Sequence, residues 1–114
     1  MKFSDMKPLN RKIAIYVPST IDVSEKIDNT KYVEKTQVFL SNRFGGCTTF
    51  QSFGCYVSEN NKLIKEKVTI CYANTDENNF KIWEKDIIDF AMFIKKEMKQ
   101  ECVSVEIDNN LYFI

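Results

Sequence analysis

The feature that most constrains this chain is an apolar stripe near its C-terminal end. Phe80, Trp83, Ile87, Phe90, Ala91, Ile94 and Met98 recur at helical spacing, which dictates an amphipathic helix with one face to bury. Asp76 and Glu77 precede the stripe and Lys95, Lys96 and Lys99 close it, in the order that complements a helix dipole. Such a helix needs an apolar layer to lie on, and the segments around it supply strands.

Lys12–Pro18 alternates, with Ile13, Ile15 and Val17 on one side and Lys12, Ala14 and Tyr16 on the other, before a proline ends it. Ser19–Asn29 reads as a long polar loop, of the kind that often carries function. Asn29 or Thr30 caps a first helix running to about Asn42, with Val33, Thr36, Phe39, Leu40 and Phe44 as its stripe and Gly45-Gly46 as its stop. Cys47–Ser58 is rich in Thr, Phe, Tyr and Val and reads as a strand, with Gly54 leaving its buried face undecided. A turn at 59–62 joins it to Leu63–Ala73, where alternation sets Ile64, Val68, Ile70 and Tyr72 against Lys65, Lys67, Thr69, Cys71 and Ala73. The bulkier set is expected to face the helices. After the second helix, Glu101–Asp108 alternates through Val103, Val105 and Ile107, and Leu111–Ile114 is expected as a short extra strand.

The order is β-α-β-β-α-β. It predicts an α+β, ferredoxin-like two-layer sandwich: a mainly antiparallel sheet with both helices on one face. The 114 residues suit one domain, divided into an N-terminal arm at 1–11 and a single α+β domain at 12–114. Hydrophobic residues at 44% and aromatics at 13% are enough for a core.

Several function classes are disfavoured. Sixteen basic and sixteen acidic residues cancel, so no net basic field of the kind that draws proteins to nucleic acid is evident; Lys2, Lys7, Arg11 and Lys12 make the arm locally basic, which suits an anionic partner or, more simply, a solvated terminus. On the expected facing, the third strand turns Lys65, Lys67, Thr69 and Cys71 outward, which does not match the aromatic pattern of ferredoxin-like RNA binders. No apolar leader or membrane-length run is present, so a cytoplasmic protein is expected. Cys47, Cys55, Cys71 and Cys102 include no C-x-x-C pair and there is no histidine. No metal site, cofactor or disulfide is therefore expected, and the thiols are expected to be buried and reduced. The lack of histidine also removes the commonest general base. No glycine-rich phosphate loop is present. The balance tips away from an enzyme.

Some residues nevertheless invite a functional reading. Glu66 shares a face with Ile64, Val68, Ile70 and Tyr72. An inward carboxylate needs a partner or ligand, unless it sits at the wet end of the strand or pairs with a lysine. Arg43 can hold a carboxylate or phosphate, or simply complement the end of its helix. Ser19, Thr20 and Thr48, with Tyr16 and Thr49, are hydroxyls that the topology gathers near one sheet edge. Tyr16, Thr69, Cys71, Ala73 and Ser104, with Ala14 and Cys102, form the expected open sheet face, small and semi-apolar, suited to a homodimer through sheet packing.

Short motifs run through most of the chain: Val17-Pro18-Ser19, Tyr32-Val33, Phe44-Gly45-Gly46-Cys47-Thr48, Gly54-Cys55-Tyr56, Leu63 to Glu66, and Leu111 to Ile114. In these the chain resembles a group of small bacterial proteins without an assigned activity, departing from it in having Tyr56 where tryptophan is usual. The resemblance implies the same fold and singles out Glu66 and Gly45-Gly46, but implies no reaction. Proteins of this kind often travel on mobile elements or near defence genes.

Two function classes follow. The first is a non-enzymatic, dimeric interaction module, such as a phage- or mobile-element-encoded inhibitor of a host defence protein. The second is a small-ligand or nucleotide-binding protein, or weak enzyme, with Glu66, Arg43, Ser19 and Thr48 around one pocket.

Overall fold

The computed structural model describes residues 1–22 and 24–114. Its main elements are β1 (Arg11–Pro18), β2 (Thr20–Ile21), β3 (Glu25–Lys26), α1 (Thr30–Phe44), β4 (Thr48–Val57), β5 (Leu63–Thr75), α2 (Glu77–Glu97), β6 (Ser104–Ile107) and β7 (Asn110–Phe113). The large sheet has the order β4-β5-β1-β6-β7 with every pair antiparallel. Leaving out β7, that is the ferredoxin-like order, with β7 added at one edge. The expected α+β class and helix placement hold.

Burial explains why β1 occupies the centre. Ile13, Ile15 and Val17 are each fully buried and face the stripes of both helices, Phe39 and Leu40 from α1 and Ile87, Ala91 and Ile94 from α2. β1 is flanked on both sides, by β5 and by β6, so its backbone groups are paired in both directions. Thr36, unpromising inside a helix, is accommodated because its hydroxyl donates to the Tyr32 carbonyl at 2.8 Å. Gly45 ends α1 in the left-handed region at φ 85°, where a glycine carries no steric penalty.

The facing expected for β5 is reversed. Register pairs Ile13 with Ala73, Ile15 with Cys71 and Val17 with Thr69, so the small residues lie under the helices. All three are buried. Ile64, Glu66, Val68, Ile70 and Tyr72 occupy the open face, beside Ala14, Tyr16 and Pro18 of β1 and Phe50, Ser52 and Gly54 of β4. Two physical facts account for this. The β-branched residues of β1 already fill the helix-facing layer, and small side chains on β5 let α1 come close to it; α1 also reaches β4, where Gln37 donates to the Thr49 hydroxyl at 2.9 Å. Of the expected dimer-face residues, Tyr16 and Ser104 are on the open face, whereas Thr69, Cys71 and Ala73 are buried and unavailable to a partner.

The Ser19–Asn29 loop is more structured than expected, since it contains the β2–β3 ladder. It is tied to the end of α2 by the Asp22 amide donating to the Met98 carbonyl at 2.9 Å and by the Gln100 side chain donating to the Thr20 carbonyl at 2.8 Å.

Asp76 caps α2, its carboxylate accepting from the Asn79 amide at 2.8 Å. Asp76→Ala is expected to cost about 1 kcal/mol in urea unfolding, within the usual range for a lost cap. Asp89→Ala, which removes an exposed partner of Lys85 four residues away, should cost no more than about 0.5 kcal/mol.

Candidate functional site

The open face is not flat. At the end of β1 the β2–β3 loop rises beside the long β4–β5 hairpin, and between them lies a cleft of about 390 Å³. Its floor is Val68 and Ile70 of β5. Tyr16 and Ser104 form one side, Ser52 and Gly54 the other, with Ser19, Thr20 and Glu66 at the loop end. A second hollow adjoins it below the hairpin and shares Ser19, Thr20, Phe53, Glu66 and Lys67. The arrangement is an apolar floor with a few convergent polar groups, as in small-molecule sites.

Each lining group is placed by the fold. Gly54 stands opposite Glu66 in the β4–β5 ladder, and nothing lies within 4 Å of where its Cβ would be. The glycine thus leaves space above the strand pair next to the carboxylate. Glu66 is exposed and takes part in none of the ion pairs found among the described residues. Its carboxylate is free to accept from a ligand and needs no buried partner. Burial, helped by the negative charge of Glu106, raises the Tyr16 phenol above its ordinary pKa, so the hydroxyl stays protonated and able to donate at neutral pH.

Among the residues singled out in the sequence, Glu66, Ser19, Thr20 and Tyr16 come together here. Arg43 does not. It lies on the helix side, bonded to Asp86 at 3.2 Å and stacked over the Phe39 ring at 4.2 Å. The expected shared cavity of Arg43 and Glu66 is therefore absent. Thr48 pairs with Tyr72 at the far end of β4, away from the cleft. Gln100 and Ser104 line the cleft without having been singled out for it, because nothing local marks a residue that a distant loop approaches.

The reversed facing also removes one premise of the RNA argument, since the open face carries Tyr16, Phe50 and Tyr72, with Glu66 and Glu106 alongside. No group of three or more metal-ligating side chains occurs among the described residues. No helix among them is long and apolar enough to cross a membrane. The cysteines are free, but only Cys71 is buried, while Cys55 and Cys102 are exposed.

No family model and no curated protein matches the chain. Solved structures do. A phage SAM lyase in complex with S-methyl-5'-thioadenosine matches over 100% of this chain and 95% of its own, with a TM-score of 0.66 and 16% identity. A phage SAM lyase in the apo state matches over 96% and 94%, with a TM-score of 0.66 and 18% identity. The likeness shows a shared fold along essentially the whole chain. It goes against the expectation of a non-enzymatic interaction module, because the solved structures that share this fold are those of an enzyme, phage SAM lyase.

Burial pushes the Cys71 thiol up to about 11. The unfolded chain releases that proton nearer the ordinary thiol value, so stability present below pH ~9 is lost as pH rises towards ~11. The thermal midpoint should fall across that window in the native protein and fall less in Cys71→Ala.

Proposed function

We propose that this chain is an enzyme acting on S-adenosylmethionine, with the open-face cleft as its site and Glu66 as its principal polar group. The observation that carries the reading is the unpartnered carboxylate of Glu66 facing Gly54 across the ladder, in a fold shared with phage SAM lyases.

The chemistry fits what the chain has. A lyase that leaves S-methyl-5'-thioadenosine breaks the bond between the sulfonium sulfur and the γ-carbon of the amino-acid chain, and it consumes no water. Atoms balance if the substrate's own carboxylate closes on that carbon while the S–C electron pair returns to sulfur. The products are the neutral thioether and a lactone. No external nucleophile is needed, which suits a chain with no histidine. Catalysis then rests on holding the amino-acid arm folded back on itself, an orientation effect.

Glu66 is best used on the substrate's ammonium group. Placed against the sulfonium it would stabilise a charge that disappears as the bond breaks, and so bind the ground state more tightly than the transition state. A carboxylate–ammonium hydrogen bond instead fixes the arm and costs nothing at the reacting centre. The Val68–Ile70 floor and Tyr16 offer an apolar and aromatic bed for the adenine ring, while the Ser19 and Thr20 hydroxyls are available to the ribose.

Incubating the protein with S-adenosylmethionine and following S-methyl-5'-thioadenosine by liquid chromatography and mass spectrometry tests this. Glu66→Gln should lower kcat/KM roughly ten- to a hundredfold, the loss of one charge-assisted hydrogen bond, with the thermal midpoint little changed because the side chain is exposed. Gly54→Leu should place a side chain in open cleft space and abolish turnover while the chain still folds. Absence of both turnover and any thermal stabilisation by S-methyl-5'-thioadenosine in the wild type would sink the reading.

A further inference from the structure

Cys47 and Cys71 are far apart in the sequence, but the β4–β5 ladder brings their thiols to one hydroxyl group. Thr49 stands directly opposite Cys71 in that ladder. Its hydroxyl donates to the Cys71 sulfur at 3.5 Å, and the Cys47 sulfur lies 3.8 Å from the same oxygen. Gln37 of α1 donates to that oxygen in turn, at 2.9 Å. A relay of donors, from Gln37 through Thr49, therefore ends on a sulfur. Burial is the main cause of the raised Cys71 pKa and the nearness of Cys47 adds to it, whereas the Thr49 hydrogen bond opposes the rise. The two thiols thus sense each other, and the hydroxyl between them favours a thiolate.

Geometry decides which chemistry the pair suits. The ladder opens with Thr48 opposite Tyr72, so Cys47 and Cys71 are diagonal neighbours and not a direct pair. Diagonal positions in an antiparallel pair have Cα atoms about 7–8 Å apart. A disulfide needs less than about 7 Å, so a direct S–S bond would require the backbone to move. An ion between the sulfurs removes that requirement, because two metal–sulfur bonds reach further than one S–S bond. Zinc does not suit the place. It takes four ligands in a closed site, and no group of three or more metal-ligating side chains occurs among the described residues. Copper(I) does suit it. The ion is soft, it selects thiolates, and two of them in a line complete its coordination. Cys71 is fully buried and Cys47 is partly exposed, so the ion has a way in past Cys47 and is shielded from water once bound.

We propose that Cys47 and Cys71 together bind a single copper(I) ion between their sulfurs, at the root of β4. Binding exchanges both thiol protons for the ion. The protons go to solvent, and the copper bis-thiolate that remains carries one negative charge. The Thr49 hydrogen bond, oriented by Gln37, stabilises that charge at the Cys71 sulfur. The spacing of the cysteines along the chain conceals the site, because a ladder and not a short motif assembles it. It lies on the helix-covered side of the sheet, away from the cleft, and stands independently of the activity proposed above.

Anaerobic titration of the reduced protein with copper(I), against bicinchoninate as a coloured competitor, tests it. The variant Cys55→Ser/Cys102→Ser lacks the two exposed thiols and should still take a single equivalent. A thiolate-to-copper band in the ultraviolet and a raised thermal midpoint should accompany binding. Cys47→Ser in the same background, at a position outside the buried core, should lose both the copper and the band with its circular dichroism spectrum unchanged. Thr49→Val should weaken binding roughly ten- to a hundredfold, the usual loss when an outer partner of a metal ligand is removed. Zinc should not survive desalting. Copper(I) retained by Cys47→Ser, copper(I) lost from Cys55→Ser/Cys102→Ser, or zinc held as firmly as copper(I) overturns the proposal.

Discussion

Both helices pack on the same face of the sheet, and the rest of this molecule is arranged around the open face that leaves. Ile13, Ile15 and Val17 project from the central strand into the space beneath both helices and hold the two layers together. Because they supply the bulk, the neighbouring strand contributes only Thr69, Cys71 and Ala73 to that layer. Its larger side chains must then emerge on the other side. That displacement creates the apolar floor of the cleft, so the packing of the core and the chemistry of the site are two results of one alternation.

The walls come from chain segments that the core holds indirectly. The segment around β2 is fastened to the residues just past α2, Asp22 to Met98 and Thr20 to Gln100, and α2 is fastened to β1 through Ile87, Ala91 and Ile94. The opposite wall is the β4–β5 hairpin, with Gly54 as the gap in it. A rigid layer thus carries a site whose two sides are anchored separately, which is how loops and strand ends commonly acquire function without disturbing the fold beneath them.

Much of the architecture was legible in the sequence. Alternation identified β1, β5 and β6, composition identified β4, and the α2 stripe identified the longer helix. Period two tells which residues share a face, but it cannot tell which face a helix will cover. Ile64, Val68, Ile70 and Tyr72 looked like core by hydrophobicity, and nothing local revealed that β1 would fill that layer first. The same gap explains Glu66. Its neighbours on the face were correctly named, but it borders an open cleft and not a sealed interior. Ser19 and Thr20 were found because a loop leaving a strand end has few places to go. Arg43 was misplaced because its partners, Asp86 and the Phe39 ring, sit on surfaces whose mutual approach only the tertiary structure defines.

The outer strand β4 has a consequence of its own. It forms one margin of the sheet, and its ten residues, Thr48 to Val57, include no charged side chain and no proline. Natural sheets usually protect such a margin with lysine, proline or a bulge, because a bare row of backbone donors and acceptors templates the addition of foreign strands. This segment has the makings of a cross-β stack. In the native protein one side of β4 is paired along its whole length with β5, and that pairing does not survive unfolding. The lifetime of a concentrated preparation is therefore governed by how seldom β4 is released from β5, and a single lysine placed at an outward position of β4 would lengthen it.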